Sequence, residues 1–158
     1  MTTTSLIVLV AAVIAAGLAA GLFYAYACSV MPGLARGDDK TFVEGMRGIS
    51  IAIINPVFML TFLGAPLLAG VAIFLHLRGD LRPALPWVIA GCVLLVATVV
   101  ITGVVHVPMN NALENGRGSY AELRAQFETA WVRWNVVRAV VSTAGFGCLV
   151  GALLARRG

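Results

Sequence analysis

Charged residues are scarce in this 158-residue chain: only 11% are Asp, Glu, Lys or Arg, whereas 60% are hydrophobic. A soluble domain of this size has too little interior to bury so much apolar surface, because surface area outruns core volume in small domains. This scarcity therefore excludes an ordinary soluble domain. Together with a mean hydropathy of +0.95, it indicates a protein whose solvent is the lipid bilayer.

Long basic runs and paired cysteines are also absent. The net charge of +4 comes from scattered residues, which excludes a nucleic-acid-binding surface. The three cysteines, Cys28, Cys92 and Cys148, lie in separate apolar stretches without CxxC spacing. We interpret them as small packing residues rather than as a disulfide framework or a metal site.

Recognisable cofactor motifs are missing as well. The sequence contains two histidines and no HxxxH, ExxH, phosphate loop or glycine-rich dinucleotide fingerprint, and no Ser/His/Asp set can be picked out. We therefore predict no cofactor. A heme or a metal ion on His106 is the one alternative, and it has little support.

Four apolar stretches are present, each long enough for the roughly 20 residues that a helix needs to cross a bilayer. We predict one all-α domain over residues 1–158, a membrane four-helix bundle with helices at about 5–30, 49–77, 85–107 and 131–154. The run from Leu6 to Val30 is longer than the core of a signal peptide, and no Lys or Arg precedes it. We interpret it as a retained membrane helix.

Proline and capping signals punctuate the sequence. Pro32 and Pro108 are predicted to end helices one and three, and Pro56 and Pro66 to kink helix two. Two residue pairs fit capping boxes: Thr41 with Glu44, and Ser119 with Glu122. In a capping box, each side chain of the pair satisfies a backbone N–H at the start of a helix. The two boxes predict amphipathic lead-in helices before helices two and four.

The two halves of the chain follow the same order: apolar helix, proline, polar linker, capping box, lead-in, asparagine, apolar helix. Asn55 and Asn135 occupy the corresponding asparagine positions. This order is typical both of a duplicated helical hairpin and of membrane hairpins in general, and the sequence leaves both readings open.

The orientation in the membrane depends on the distribution of Lys and Arg. Four crossings place both termini on one side, whose short flanks carry Arg78, Arg82, Arg156 and Arg157. The raw count of basic residues favours the opposite side as cytoplasmic, whereas the densest short basic flanks favour the termini. We predict a multi-pass cell-membrane protein with cytoplasmic termini.

Polar side chains at membrane depth are costly, so each carries a functional hypothesis. Trp131, Asn135 and Arg138 share one face of helix four at 100° per residue, with Trp134 beside it. Arg138 lies about two turns inside the apolar stretch, so we expect it to face the bundle and an anionic partner. The alternative is an aromatic belt at the interface with a snorkelling arginine.

A second polar group surrounds Pro108. His106 and Asn110 are one turn apart if the helix persists. His106 is a candidate base, proton relay or hydrogen-bond donor, or else an interfacial histidine with a satisfied hydrogen bond. His76 is predicted at the opposite interface.

A third group precedes and enters helix two. Glu44 and Asn55 fall on one helical face. Glu44 is the candidate partner for Arg138 or Arg133. The alternative is the capping box with Thr41, and the two roles exclude each other geometrically. Tyr26 adds a polar tip at the same end of helix one, unless it is a belt tyrosine.

Four blocks of sequence resemble the anthrone oxygenase-like family of small four-helix membrane proteins. The first runs from Phe23-Tyr24-Ala25-Tyr26 to Met31-Pro32-Gly33-Leu34, and the second is Asn55-Pro56-Val57-Phe58. The others are Val107-Pro108-Met109-Asn110-Asn111-Ala112-Leu113 and Trp131 with Trp134-Asn135-Val136-Val137-Arg138. The Val-Pro-Met-Asn-Asn and Trp-Asn-x-Val-Arg blocks together are fairly specific.

The resemblance implies an oxygenase that converts polycyclic anthrones to anthraquinones with O₂ and no obvious cofactor. On that basis His106 would be the base, and the donors to the developing oxyanion would be Asn110, Asn135 and Arg138. The substrate would be bound by Trp131, Trp134, Tyr26, Phe58, Asn55 and Glu44. The family typically reads Trp-Asn-His-Val-Arg, whereas this chain has Val136 at the histidine position, so His106 would have to serve as the base.

The sequence leaves two classes of function open. The first is such an oxidoreductase acting on an anthrone- or quinone-like substrate. The second is a non-catalytic membrane protein, which is either a binder of lipid or quinone or a partner subunit. Transport would require an oligomer to build a path. Gly17/Gly21 and Gly147/Gly151 have GxxxG spacing and provide two close-packing faces, one of which is expected to join protomers in a homo-oligomer.

Overall fold

In the computed structural model, which describes residues 3–77 and 79–155 with side chains for all but 79–81, every regular element is helical. The α-helices are α1 (Thr3–Ala25), α2 (Met31–Leu34), α3 (Asp39–Ala52), α4 (Pro56–His76), α5 (Leu85–Ile101), α6 (Val107–Asn115) and α7 (Tyr120–Leu154). Two π-helical segments, Tyr26–Val30 and Thr102–His106, follow α1 and α5, and a 3₁₀ segment, Gly79–Ala84, precedes α5. The all-α prediction is confirmed.

In the part of the chain that the structure describes, four helical stretches are long and apolar enough to cross a membrane. They are Thr3–Leu34, Pro56–His76, Arg82–Asn115 and Tyr120–Leu154. Large apolar side chains such as Leu60 and Phe74 are 76% and 72% exposed on their outer surfaces. Such a surface is stable against lipid rather than water, so the chain is a membrane protein.

The helix ends at Pro32 and Pro108 were predicted wrongly. Both helices continue through a π-helical segment and end at Leu34 and Asn115. The residue before each proline donates its N–H five residues back, from Met31 to the Tyr26 carbonyl and from Val107 to the Thr102 carbonyl. The wider π turn accommodates the proline ring, and the missing N–H falls at the junction between the π-helical segment and the helix that follows.

Helix two is broken rather than kinked at Pro56. The lead-in α3 ends at Ala52, and the Asn55 side chain caps α4 by accepting a 3.0 Å hydrogen bond from the Phe58 N–H. Pro56 then takes the first helical position, which suits its fixed φ. Only Pro66 lies inside the helix.

The two lead-in helices begin differently. At α3 the cap is Asp38, which accepts a 2.8 Å hydrogen bond from the Thr41 N–H, instead of the predicted Thr41/Glu44 box. The hydroxyl and N–H of Thr41 lower the pKa of this carboxyl. The Ser119/Glu122 capping box is confirmed. From there α7 runs 35 residues without a break, so the second lead-in and helix four are one helix.

Small residues pack the bundle tightly at the end that holds the termini. A Cβ on Gly91 of α5 would lie 2.8 Å from Leu149 of α7, and one on Gly151 would lie 2.9 Å from the Trp87 ring. The buried core there is rich in alanine: Ala12, Ala16, Ala65, Ala69, Ala72 and Ala152. His76, expected at the interface, is fully buried in this end, with Nδ1 2.7 Å from the Ala72 carbonyl.

In each predicted glycine pair, one glycine faces the inside of the bundle and the other faces the outside. A Cβ on Gly17 would lie 3.1 Å from Phe146, and Gly151 meets Trp87 as described, whereas Gly21 and Gly147 face open space. The pairs therefore do not form two free faces. The homo-oligomer stays a prediction.

Candidate functional site

A cavity of about 310 Å³ separates α3 and α4 from α5 and α6 at the end of the bundle away from the termini. Side chains of α1 and α7 close its inner side. Its apolar lining includes Leu22, Phe23, Met46, Ile49, Phe58, Phe62, Val99 and Trp131. Its polar lining consists of Tyr26, Ser50, Thr102, His106, Asn110, Asn111, Glu114 and Arg138.

Arg138 faces this cavity from α7 and is 6% exposed. Its guanidinium carbon lies 4.1 Å from the centroid of the Phe23 ring and 5.6 Å from that of Trp131. It donates to Asn135 Oδ1 at 2.8 Å and weakly to Thr102 Oγ1 at 3.4 Å. The inward position agrees with the sequence interpretation and not with a snorkelling arginine.

The partner expected for Arg138 is not a carboxylate. Among the described residues, ion pairs join Arg124 to Asp39 and Glu128, and none reaches Arg138. Its Nε is buried without a hydrogen-bond partner. Contacts with aromatic faces and neutral oxygens offset only part of the free energy that it costs to bury a cation. The Arg138 guanidinium therefore favours an anionic ligand in the cavity.

Asn135 does not line the cavity but positions Arg138, which does. Its Nδ2 donates to the Phe23 carbonyl at 3.2 Å, and its Oδ1 accepts from Arg138. It is 1% exposed. The predicted donor role is therefore corrected: Asn135 orients the Arg138 guanidinium between α1 and α7.

His106 ends the second π-helical segment and is 1% exposed. Its ring meets the Trp131 ring edge-to-face, with centroids 5.2 Å apart. The Ile101 carbonyl lies near the ring, but neither ring nitrogen has a well-formed hydrogen bond to any described residue. An imidazole in this state is available to a ligand.

Trp131 forms the centre of the inner wall. Its Nε1 donates to Asn110 Oδ1 at 2.9 Å, which ties α7 to α6. The Tyr26 ring also packs against Trp131, with ring centroids 5.7 Å apart. Because Tyr26 and His106 each belong to a π-helical segment, each of the two segments places one ring against Trp131.

A second aromatic pair lies across the cavity on α4. Phe58 and Phe62 stack with centroids 5.1 Å apart, and Phe62 meets Phe23 edge-to-face at 5.9 Å. The cavity is therefore bounded by aromatic rings on opposite sides, which suits a flat aromatic ligand.

Three residues predicted to bind substrate lie outside the cavity lining. Glu44 accepts a hydrogen bond from the Tyr120 hydroxyl at 2.9 Å and so joins α3 to the start of α7. Asn55 is used as the cap of α4. Trp134 is 43% exposed on the outer surface of α7, because it lies too far around the helix from Trp131.

Position 136, where the family has histidine, is also on the outside. Val136 is 47% exposed and is absent from the cavity lining. A histidine on this backbone would point away from Arg138. The departure from the family pattern therefore leaves the cavity unchanged.

Sequence reasoning missed Glu114, Thr102 and Phe23. Glu114 lies at the exposed rim of the cavity because α6 extends past Pro108. Phe23 and Thr102 belong to apolar stretches in which nothing distinguishes an inward residue from an outward one. Their spacing from Tyr26 and His106 becomes informative only once the π-helical segments are known.

Two arginines fix the helices around the cavity. Arg47 of α3 donates to the carbonyls of Leu113 and Gly116 at 3.0 and 3.1 Å, which anchors the end of α6. Arg124 of α7 donates to the carbonyls of Ala35 and Gly37 and pairs with Asp39. No group of three His, Cys, Asp or Glu side chains within residues 3–77 and 79–155 is arranged to hold a metal ion.

Comparison with known proteins identifies a family. The family model described as anthrone oxygenase matches residues 58–148, which include His106, Trp131 and Arg138 and exceed half of the 158 residues. Searches of curated proteins and of solved structures find no match. The apolar aromatic cavity and the family model agree with the resemblance found in the sequence, and the chain belongs to the anthrone oxygenase family.

Proposed function

We propose that this protein is a membrane oxygenase that oxidises a lipophilic polycyclic aromatic of the anthrone class with O₂. The observation that carries the proposal is the composition of the cavity wall. An imidazole whose ring nitrogens make no well-formed hydrogen bond to a described residue, His106, and a buried cation without a described carboxylate partner, Arg138, both face a space lined by aromatic rings.

The size of the cavity supports a small aromatic substrate. Its volume of about 310 Å³ falls at the lower end of the roughly 300–1,000 Å³ typical of small-molecule sites. Phe58 and Phe62 on one side and Trp131 on the other provide apolar faces for a flat ring system.

The chemistry begins with proton removal. An anthrone has an acidic C–H on the carbon between two aromatic rings, and His106 is the base that accepts this proton. The resulting carbanion is stabilised as an enolate, whose negative oxygen is held by Arg138. The Trp131–Asn110 hydrogen bond holds the wall between these groups.

The electron-rich anion then reacts with O₂. One electron passes from the carbanion to O₂, and the substrate radical and superoxide combine at the same carbon. The hydroperoxide anion that results takes back the proton held by His106 and becomes a hydroperoxide. Loss of the second C–H proton and cleavage of the O–O bond leave a ketone and water. Overall, one O₂ reacts with the CH₂ carbon of the anthrone. One oxygen atom becomes the ketone oxygen, and the other forms water with the two hydrogens of that carbon.

The test is O₂ uptake with 1,8-dihydroxyanthrone by the protein in lipid vesicles, above the rate of protein-free vesicles. His106→Gln removes the base and should lower turnover about 100- to 10,000-fold. Arg138→Met should lower turnover about 100- to 1,000-fold.

Matched controls exist on the same helix. Arg133→Met and Trp134→Phe change exposed residues and should leave turnover unchanged, whereas Trp131→Phe should reduce it. Wild-type turnover that persists in both the His106→Gln and Arg138→Met variants would refute the proposed roles.

A non-catalytic binder of lipid or quinone is the second candidate. It is favoured by one observation: His106 has no well-formed hydrogen bond to another described residue that would carry a proton away. Binding of 1,8-dihydroxyanthraquinone without any O₂ uptake from 1,8-dihydroxyanthrone would support this candidate instead.

A further inference from the structure

The cavity has an opening between α4 and the second π-helical segment. Ile54 and Met59 line it on the α4 side and are 76% and 37% exposed. Gly103 and Val107 line it on the other side, and both are exposed. These four residues, here called the mouth, belong to the cavity wall and to the outer surface at once.

The surface around the mouth is apolar on both sides. On α4, Val57 and Leu60 are each 76% exposed, and on the opposite side Val100 and Val104 are 53% and 70% exposed. A rim of this kind is stable against acyl chains and costly against water. The mouth therefore opens sideways into the bilayer.

Gly103 is the residue of the mouth that has no side chain. A Cβ built on this residue would meet no atom within 4 Å, and no φ between +20° and +160° requires glycine there. The backbone therefore accepts a side chain, and the space that it would occupy belongs to the mouth. Any large side chain at this position would narrow the passage.

We propose that the substrate reaches the cavity laterally from the lipid bilayer through the mouth, and that Gly103 determines the size of ring system admitted. The inference rests on the proposed function, because it takes the ligand to be a flat lipophilic aromatic. A molecule arriving this way passes the apolar rim first and meets His106 and Arg138 at the inner wall.

The test measures binding and not activity. The protein carries Trp87→Phe and Trp134→Phe, so that Trp131 of the cavity wall is the only tryptophan left among the three in the sequence. Quenching of its fluorescence by 1,8-dihydroxyanthraquinone, mixed rapidly in phosphatidylcholine vesicles, gives the rate of association. Gly103→Phe should lower this rate at least tenfold, and Gly103→Ala should lower it little.

Gly70→Phe is the matched control, because Gly70 is an exposed glycine of α4 with open space at its Cβ and no place in the cavity lining. The Gly70→Phe variant should bind 1,8-dihydroxyanthraquinone at the same rate as the protein without this change. Met59→Phe narrows the mouth from the opposite helix and should also slow association, which keeps the test valid if Gly103→Phe fails to fold.

Unchanged association in both Gly103→Phe and Met59→Phe would overturn the proposal. The proposal would also be overturned if Asn111→Phe slowed association while Gly103→Phe and Met59→Phe did not. Asn111 lies at the other exposed part of the cavity lining, near Glu114. Normal association through the mouth without O₂ uptake would leave lateral access standing and would count only against the oxygenase function.

Discussion

At the scale of single residues, the environment of Arg138 is the feature most directly tied to function. The ring of Phe23, the Asn135 amide and the weaker contact with Thr102 surround a buried cation that no described carboxylate neutralises. Cation–π contacts contribute roughly 0.5–2 kcal/mol each, which is less than the several kcal/mol that burying a charge costs. An enolate or phenolate oxygen in the cavity would supply the remainder.

The residue at position 136 offers a test of which histidine matters. Val136→His restores the family pattern on an exposed outer face, far around the helix from Arg138. We expect O₂ uptake with 1,8-dihydroxyanthrone to stay within about twofold of the unmodified protein, because a single solvent- or lipid-facing change rarely alters a buried site. The measurement is the initial rate in vesicles.

The matching variant combines Val136→His with His106→Gln. If position 136 is irrelevant, the double variant should be as slow as His106→Gln alone. Recovery of turnover in the double variant would show that a histidine at 136 reaches the substrate, and the site described here would then be wrong.

At the scale of elements, the two π-helical segments determine which side chains face the cavity. Each adds one residue to its turn relative to an α-helix, which shifts everything that follows by about 100°. The first segment contains Tyr26 and leads into α2, and the second ends at His106 and leads into α6. Without the second shift, Asn110 would not face Trp131.

Deletion of Val104 tests this role. The residue is 70% exposed, so its removal takes away no core contact but converts the π turn to an α turn. We expect loss of 1,8-dihydroxyanthraquinone binding, at least tenfold in the dissociation constant, with helical circular dichroism retained. Val104→Ala keeps the number of residues and should bind normally.

Normal binding by the deletion variant would mean that the helix absorbs the change elsewhere. The π-helical segment would then be a consequence of Pro108 alone. A deletion variant that loses its helical signal would be replaced by deletion of Gly103, which removes a residue from the same turn.

At the scale of the whole molecule, the bundle is polarised. Its tight end is built from alanine and glycine around Ala69, Gly91 and Leu149, and its open end is built from aromatic rings. A helix of 35 residues, α7, spans both ends. The tight end fixes the separation of the helices, and the open end carries the cavity, so the site is distant from the termini.

The orientation of the bundle in the membrane is a prediction from the distribution of Lys and Arg in the sequence. We expect the C-terminus in the cytoplasm because the short flanks beside it carry the densest arginines. A C-terminal green fluorescent protein should therefore fluoresce in a bacterial host, and a C-terminal alkaline phosphatase should be inactive. The same phosphatase inserted at Arg117, at the open end, should be active.

The opposite pattern of reporter activities would place the cavity end in the cytoplasm. It would favour the raw count of Lys and Arg over the density of short flanks as the controlling signal. The cavity, its lining and the mouth would be unaffected, since none of them depends on the side of the membrane.

The sequence alone determined the all-helical membrane architecture, since apolar stretches of about 20 residues have no other stable arrangement in lipid. It also predicted the Ser119/Glu122 cap, because capping is a local property, and it favoured an inward Arg138 from helical spacing while leaving a snorkelling arginine open. The family followed from short blocks around Pro108 and Trp131.

The tertiary structure decided what local patterns do not specify. Pro32 and Pro108 were read as helix ends because a proline breaks an α-helix, but a π turn absorbs it when neighbouring helices hold the chain. The partners of Glu44 and Arg138 depend on which helices lie side by side, and helical periodicity places them only on faces. The cavity and its mouth are lined by side chains from several helices, including α1, α3, α4, α6 and α7, so they are a property of packing and not of any single segment.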